Sequence, residues 1–456
     1  MTTTTTYPGV YIEEQNRLSL SVSHSNTAIP AFAVKTGAAI GFGSDKAKRL
    51  DSYMDYQKIN IDPDADVNIS AGSTSAMLSL KALGLNVSQP FLCGLSVSAD
   101  LTAEFFMNGE PVPRASHETL VTADSVQYSV VSNLNNPADH VVVFSQDGLP
   151  LQVTHKVHVY PASITDVDNC MRVYFNNGGG TCYLIPVDSL LTEVPKHDDI
   201  TLLVQAGVET SDFSDAVNTL TGLGSNLFAI YDGPNEAAEL TIGTSVSGYG
   251  GSAYTAVYYP WLQADWTVDD IPPSAAIAGA YCKNDNTVGV WKAPANMTLA
   301  GVTPKYKVTD TLQGAFTQGD GRALNMIRQF NNGPTTIWGA RTRDDSDQWR
   351  YVPVRRLFSS AEKDIKDAMK VAMFEPNSQP TWEAVRASVT SYLTKLWKNG
   401  ALMGTKPEEA FFVQVGKGIT MDMDDIKQGK MIVKVGMAAV RPAEFIILQF
   451  TQDVAQ

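Results

Sequence analysis

Residues able to do chemistry are sparse in this 456-residue chain. The run Asn176-Asn177-Gly178-Gly179-Gly180-Thr181 offers backbone amides to a phosphate, but it lacks the spaced Gly-Lys-Ser/Thr of a nucleotide loop. It also lies between two stretches read as strands, not before a helix whose N-terminus would favour an anion. A tight turn is the better reading. His155 and His158 look like a metal pair, yet residues three apart on a strand face opposite ways, and no third ligand stands near. Gly248-Tyr249-Gly250-Gly251-Ser252 reads as a flexible connection. Asp422-Met423-Asp424-Asp425 has the acid density of a calcium loop without its glycine and terminal glutamate in register, so a solvated turn is expected. No Gly-x-Ser-x-Gly elbow is present. Cys93, Cys170, Cys182 and Cys282 lie far apart with no C-x-x-C pair, and reduced, buried thiols are expected. No catalytic, cofactor or metal residue is assigned, and a structural protein rather than an enzyme is expected.

Composition narrows the partners. Hydrophobic content of 44% and charged content of 18% suit a globular protein of two to four domains. The net charge of −14 argues against a nucleic-acid surface. No apolar run approaches the roughly 20 residues a membrane helix needs, so direct membrane insertion is not expected. The N-terminus lacks a basic stretch followed by an apolar one. Synthesis in the bacterial cytoplasm without a signal peptide is therefore expected, and the sequons at Asn68, Asn86 and Asn296 carry no meaning. Arg341-Thr342-Arg343 with Arg355-Arg356 forms a basic cluster. It either pairs internally or is solvated, with Asp344, Asp345 and Asp347 near, or it contacts an acidic partner.

The elements that must position these residues suggest an α+β, multidomain chain. Residues 1–20 read as an arm and 21–50 as a strand joining the core, with Thr27 to Val34 apolar enough to be buried. Residues 51–165 alternate in short segments such as Val126 to Val131, Val141 to Phe144 and Gln152 to Tyr160. Asp147-Gly148 marks a hairpin. This stretch reads as an inserted outer β-domain, a small sandwich. Residues 166–345 read as an α/β domain. Its strands are expected at Met171–Phe175, Thr181–Val187 and Leu227–Pro234, with a helix around Phe213 to Leu223. In 346–440, a C-terminal α+β domain, Ser359-Ser360-Ala361-Glu362 fits a capping box opening a helix. A second helix near Thr381 carries Trp382, Val385, Val389, Leu393 and Leu396 on one face and stops at Asn399-Gly400. Strands are expected at Lys430 to Val440 and Glu444 to Thr451, the latter within a terminal arm at 441–456.

The two ends share one character. Thr2 to Thr6 is a β-branched run that favours extended backbone, Pro8-Gly9 bends it, and Val10-Tyr11-Ile12 resumes a strand. A strand at a terminus must find a partner edge in its own body or in another chain. Phe445, Ile446, Ile447, Leu448 and Phe450 make both faces of the other end mostly apolar, as in a strand buried inside a sheet. The arms are therefore placed at Thr3 to Ile12 (Thr3, Thr4, Thr5, Tyr7, Val10, Tyr11, Ile12) and Phe445 to Val454. An ordinary intramolecular strand is the alternative.

Seven separated segments resemble the tail sheath proteins of contractile phage tails and related contractile injection particles. They are Tyr7-Pro8-Gly9-Val10-Tyr11-Ile12-Glu13-Glu14, Tyr174 to Tyr183, Ala256 to Trp261, Gly279 to Asp285 with Gly289 to Asn296, Ile337 to Thr342, Tyr351 to Leu357 and Val440 to Ile446. The resemblance covers the arm and most of 165–456, not about 51–162. It implies a structural subunit that polymerises helically around an inner tube and contracts to drive that tube through a target envelope. It would be part of a phage tail or tail-like particle, one that can be released. The implied partners are the chain itself or paralogous sheath subunits, the inner tube protein, and baseplate and terminal cap proteins. The helix from Ser360 to Phe374, with Lys363, Lys366 and Lys370, and the Arg355-Arg356 segment are candidates for a tube-facing surface. The alternatives are a baseplate or cap component with a sheath-like body, and an enzyme with an unrecognised site in the α/β region.

Overall fold

The computed structural model describes residues 21–35, 46–59 and 165–445, apart from 223, 237–245, 247–248, 250–251, 318–322 and 332; between 67 and 160 it describes strand backbone only. Pro30–Val34 is buried at every position and lies inside a nine-stranded sheet, third from one edge. Parallel neighbours extend from it through Leu202–Val204, Phe228–Asp232, Thr255–Tyr259 and Asn325–Gln329 on one side, and Cys182–Pro186 on the other. Thr335–Trp338 and Met297–Thr298 close one edge and Lys48–Leu50 the other, all antiparallel.

Alternation along the strands separates two cores, because successive side chains leave opposite faces. Phe32 and Val34 join Leu184, Leu202, Ile230 and Tyr258 under the helices Thr165–Asn176 and Pro273–Thr287. Ala31 and Ala33 join Ile185, Leu203, Tyr231 and Val257 under Thr210–Leu220 and Asp310–Thr317. Both faces of the parallel sheet are covered, which its uniformly apolar strands require. The Tyr53–Lys58 helix also packs on this body, through Tyr53 and Tyr56.

Residues 67–160 hold only strands among the described residues. Val67–Ser70, Val153–Tyr160, Asp139–Gln146 and Val126–Ser132 form one four-stranded sheet; Ala76–Ser79, Leu92–Val97, Ala103–Met107 and Glu110–Pro111 form another. His155 and His158 lie on one strand, in register with Val142 and Asp139.

Two expectations fail in this body. Met171 to Phe175 is helical, inside Thr165–Asn176. Its β-branched and aromatic residues are overruled by tertiary packing: Met171, Val173 and Tyr174 are all fully buried. This helix crosses Pro273–Thr287 so closely that a Cβ on Gly279 would sit 2.4 Å from the Tyr174 carbonyl oxygen. The glycine run after it is a helix-to-strand turn, with Gly178 at φ +96°. Trp338 is 40% exposed and meets Phe330 edge to face. Trp291 packs against the C-terminal cluster.

The C-terminal body holds the helices Val352–Met369 and Gln379–Lys398, the short helix Met423–Lys427 and a two-stranded sheet, Phe411–Val415 with Val433–Met437. The capping box expected at Ser359 to Glu362 lies mid-helix. The helix begins after Tyr351 with Pro353 in its first turn, a position that needs no donor N–H. The second helix carries Val385, Val389, Leu393 and Leu396 into the core and ends at Asn399 and Gly400, where φ is +81°.

The two bodies are joined by a buried ion pair. Arg356 and Asp285 have side chains only 4% and 2% exposed. Arg356 donates through Nη1 to Asp285 Oδ1 at 3.2 Å and through Nη2 to Oδ2 at 2.7 Å, and it lies 4.8 Å from the Tyr281 ring centroid. Burial opposes the guanidinium charge, but Asp285 outweighs it and raises Arg356 above its ordinary value.

Two predictions follow from this packing. Gly279→Ala should cost about 1–3 kcal/mol by overpacking, whereas Gly314→Ala, on an exposed helix with open space around it, should stabilise by about 1 kcal/mol. Denaturant midpoints of the two variants should therefore move in opposite directions. Arg356→Met should cost about 3–5 kcal/mol by stranding Asp285, and adding Asp285→Leu should recover most of it. A double variant no better than the single one would show that the pair is not the joint.

Candidate functional site

Two of the chemical candidates, the glycine turn at 178–180 and the acidic run at 422–425, have a local structural use. The amides of Gly178 and Gly179 go to the Phe175 and Tyr174 carbonyls, and that of Gly180 goes to the Tyr174 hydroxyl at 3.0 Å. No amide of this glycine turn is left for a phosphate. Asp422 is the N-cap of Met423–Lys427, accepting from the amides of Asp424 and Asp425 in a capping box, which replaces the expected solvated turn. Cys170, Cys182 and Cys282 are buried and form no disulfide among the described residues, and burial pushes the Cys282 thiol up to about 11. Among the described residues, no group of His, Cys, Asp and Glu could hold a metal ion, and no helix is long and apolar enough to cross a membrane.

Asp232 is the most perturbed carboxyl, raised to about 6 by burial. It ends a parallel strand, where open α/β sheets commonly bind ligands. Here its two oxygens accept from Gly207 N at 2.9 Å and Ser274 N at 2.7 Å. It braces a strand end to the start of the Pro273–Thr287 helix.

The unusual polar contacts gather instead around residues 22–27 and around Glu444. At the N-terminal side, Val22 is buried in the C-terminal cluster beside Leu357, Ala361 and Leu393. Ser25 donates to Asp364 Oδ1 from its amide at 3.0 Å and its hydroxyl at 2.5 Å. The Thr27 carbonyl accepts from Arg356 at 2.8 Å, and its hydroxyl donates to Asp285 at 2.6 Å. Residues 22–27 thus form a strap from the C-terminal body to the sheet body. At the other end, Glu444 accepts from Arg341 Nε at 2.8 Å and Nη2 at 2.5 Å, and from the Tyr351 hydroxyl at 3.2 Å. Arg341 is only 6% exposed. Burial works against its charge, and Glu444 more than restores it.

The expected arm residues Thr3, Thr4, Thr5, Tyr7, Val10, Tyr11, Ile12, Ile446, Ile447, Leu448 and Phe450 lie outside the described residues. Phe445, the last described, is 63% exposed. Arg355 and Arg356 are not a charged outer face: they are 3% and 4% exposed. Arg355 pairs with Glu362 at 3.0 Å and lies 4.1 Å from the Trp349 ring centroid. Their partners are Glu362 and Asp285, not the neighbouring Asp344, Asp345 and Asp347. Lys363 donates to the Asp198 carbonyl, Lys370 pairs with Asp367, and Lys366 is exposed. These lysines line a groove of about 340 Å³ between Val352–Met369 and residues 194–227.

The small C-terminal sheet is the remaining feature. Phe411–Val415 was not anticipated from sequence. It packs on the Gln379–Lys398 helix, and among the described residues no strand pairs with either outer edge of the sheet. The Phe412 ring covers Gly436, where a Cβ would lie 2.2 Å away. Around this sheet Met403, Phe412, Ile419 and Ile432 are exposed.

Comparison with known proteins places the chain in a family. Residues 344–453 match the family model of the phage tail sheath C-terminal domain. A prophage major tail sheath protein of Pseudomonas aeruginosa is 23% identical over 232 residues, covering 49% of this chain and 58% of that relative. The chain therefore spans less than two thirds of that protein. The anti-feeding prophage baseplate in its contracted state contains a chain 35% identical, with TM-score 0.68 and coverage of 99% and 100%. The contracted PVC sheath complex, an extracellular contractile injection system, contains one 44% identical, with TM-score 0.70 and 99% of both chains covered. With that likeness along its whole length, the chain belongs to the tail sheath family of contractile injection systems.

Proposed function

We propose that this chain is a sheath subunit that polymerises helically around an inner tube and contracts to drive the tube through a target envelope. Neighbours in such a lattice must slide and rotate while staying connected. Terminal strands that add to a neighbour's sheet meet that demand, because each backbone hydrogen bond contributes only about 1 kcal/mol net yet several act together. The observation that carries this reading is the two-stranded Phe411–Val415 and Val433–Met437 sheet, whose outer edges take no partner among the described residues. Such a small sheet is marginal alone, and the exposed Met403, Phe412 and Ile432 beside it suit an interface. We assign the neighbours' arms, Thr3 to Ile12 and Phe445 to Val454, to these edges. The exposed Lys366, with Lys363 and Lys370, is kept as the tube-facing candidate, on a helix whose buried arginines cannot serve. Energy for contraction is stored in the extended lattice, and no nucleotide is required. Tube, cap and baseplate proteins are the partners.

A baseplate component with a sheath-like body is the second reading, favoured by the likeness to a chain within the anti-feeding prophage baseplate. Co-expression with the tube protein, imaged by electron microscopy, separates the two: long striated sheaths support the first and short collars the second. Deleting residues 1–12 should leave a folded subunit and no sheath. A sheath that survives the deletion would overturn the arm assignment. Lys366→Glu with Lys370→Glu should reduce sheath formed on tubes, and undiminished co-assembly would remove those lysines from the tube face.

A further inference from the structure

The turn between Val352–Met369 and Gln379–Lys398 breaks a backbone rule with no compensating contact among the described residues. Met373 has φ −65° and ψ 138°, Phe374 has φ +67°, and the Glu375 amide donates to the Ala372 carbonyl at 3.3 Å. That is a type II turn, whose second central position calls for Gly or Asn. Here it carries Phe, the bulkiest non-glycine side chain with positive φ among the described residues. A bulky residue held in this region is strained. Its ring stabilises nothing in return: Phe374 is 102% exposed, and Val371 and Met373 beside it are 56% and 59% exposed.

The base of the turn is firmly held. Ala372 is buried, and the Thr381 hydroxyl donates to the Pro376 carbonyl at 2.7 Å. Asn377 accepts from the Trp382 indole at 2.7 Å and donates to the Lys430 carbonyl at 2.9 Å. This last contact sets the turn beside the lead-in to Val433–Met437, where Ile432 is also exposed. The result is a preformed apolar knob that adjoins the small sheet.

We propose that Phe374, with Val371 and Met373, is an anchor that packs against a second copy of this chain, at the sheet edge where that copy's arm enters.

Strain kept at a residue that does nothing for the free subunit points to a bound state. A cluster of exposed apolar side chains marks an interaction surface, and buried aromatics carry much of the energy of such surfaces. The choice of partner follows from position. The knob adjoins the edge assigned above to a neighbour's arm, and the anchor rests on that reading. The chemistry also fits, since Tyr7, Val10, Tyr11 and Ile12 of the arm are apolar or aromatic, whereas the contact kept for the tube is made by lysines.

The test separates the free subunit from the assembly. In the full-length, unassembled protein, Phe374→Gly relieves the strain and should strengthen folding about two- to fivefold, read as a higher denaturant midpoint. Phe374→Asn, which the turn also accepts, should act in the same direction. Both should raise the protein concentration at which subunits associate by about tenfold. A midpoint that rises in neither variant would show that the ring serves the subunit's own stability, and would overturn the anchor. Association unchanged from the parent would do the same. Phe374→p-benzoylphenylalanine, irradiated after assembly in the presence of the tube protein, identifies the partner. Adducts between two copies of this chain are expected; adducts with the tube protein alone, or none, would overturn the proposal. Short collars in place of long sheaths would count against the polymer reading and leave the copy-to-copy adduct intact, so the two fail separately.

Discussion

A guanidinium buried away from water must keep its carboxylate, and among the described residues the carboxylate that pairs with Arg356 is Asp285. That constraint organises the subunit. Arg356 rises from the first turns of the Val352–Met369 helix, Asp285 from the end of the Pro273–Thr287 helix, and Thr27 closes the pair from the strap. Separating any of the three would leave a charge in a medium where it is poorly solvated. The sheet body, the C-terminal body and the base of the N-terminal segment are therefore coupled by one joint. In the proposed contraction, movement between neighbours has to occur at exposed surfaces and along the arms, not across this seam.

Arg341 applies the same logic at the opposite end. It lies beside Trp338 at the antiparallel edge of the large sheet, and Glu444 answers it from a segment remote in sequence. Tyr351, the residue before the helix that bears Arg356, donates to the same carboxylate. The motifs around 279–285, 337–342, 351–357 and 440–446 therefore meet in two ion-paired knots, each at the root of a chain end. Their residue types follow from that geometry. Arginine's planar fork reaches a carboxylate bidentately and still has donors for a backbone carbonyl, which lysine cannot match.

Where local pattern and tertiary demand agree, the chain could be read directly. Pro30–Val34, Cys182–Pro186 and Phe228–Asp232 are apolar because both faces of a parallel sheet are covered, and Gly400 marks a helix end because φ there is positive. Thr165–Asn176 was misread because Met-Arg-Val-Tyr-Phe has strand propensity, while its helical state depends on contact with Gly279, over a hundred residues away. Arg355 and Arg356 looked external because charge usually is. Glu362, the distant Asp285 and the aromatic rings of Trp349 and Tyr281 make their burial tolerable. Phe411–Val415 is short and alternates weakly, with Phe412 on the outer face covering Gly436 instead of entering the core. Ser25 and Asp364 carry no local signal at all.

The small sheet and the strap are two halves of one mechanical problem. A donated strand transmits force only if its own root is fixed and if the sheet receiving it is backed by something rigid. The strap fixes one root through Asp364 and Arg356, and Glu444 fixes the other. The receiving sheet rests on the Gln379–Lys398 helix, whose Tyr392 also holds Asp364. Root and receptor therefore share the same buried helix pair. In the proposed lattice, load arriving on the small sheet from one neighbour would pass through this helix pair to the strap at residues 22–27. A lattice wired through such units remains connected while its outer faces repack. It is coherent because the polar contacts that are costly to break lie inside each subunit, and those proposed between subunits are backbone hydrogen bonds, many and individually weak.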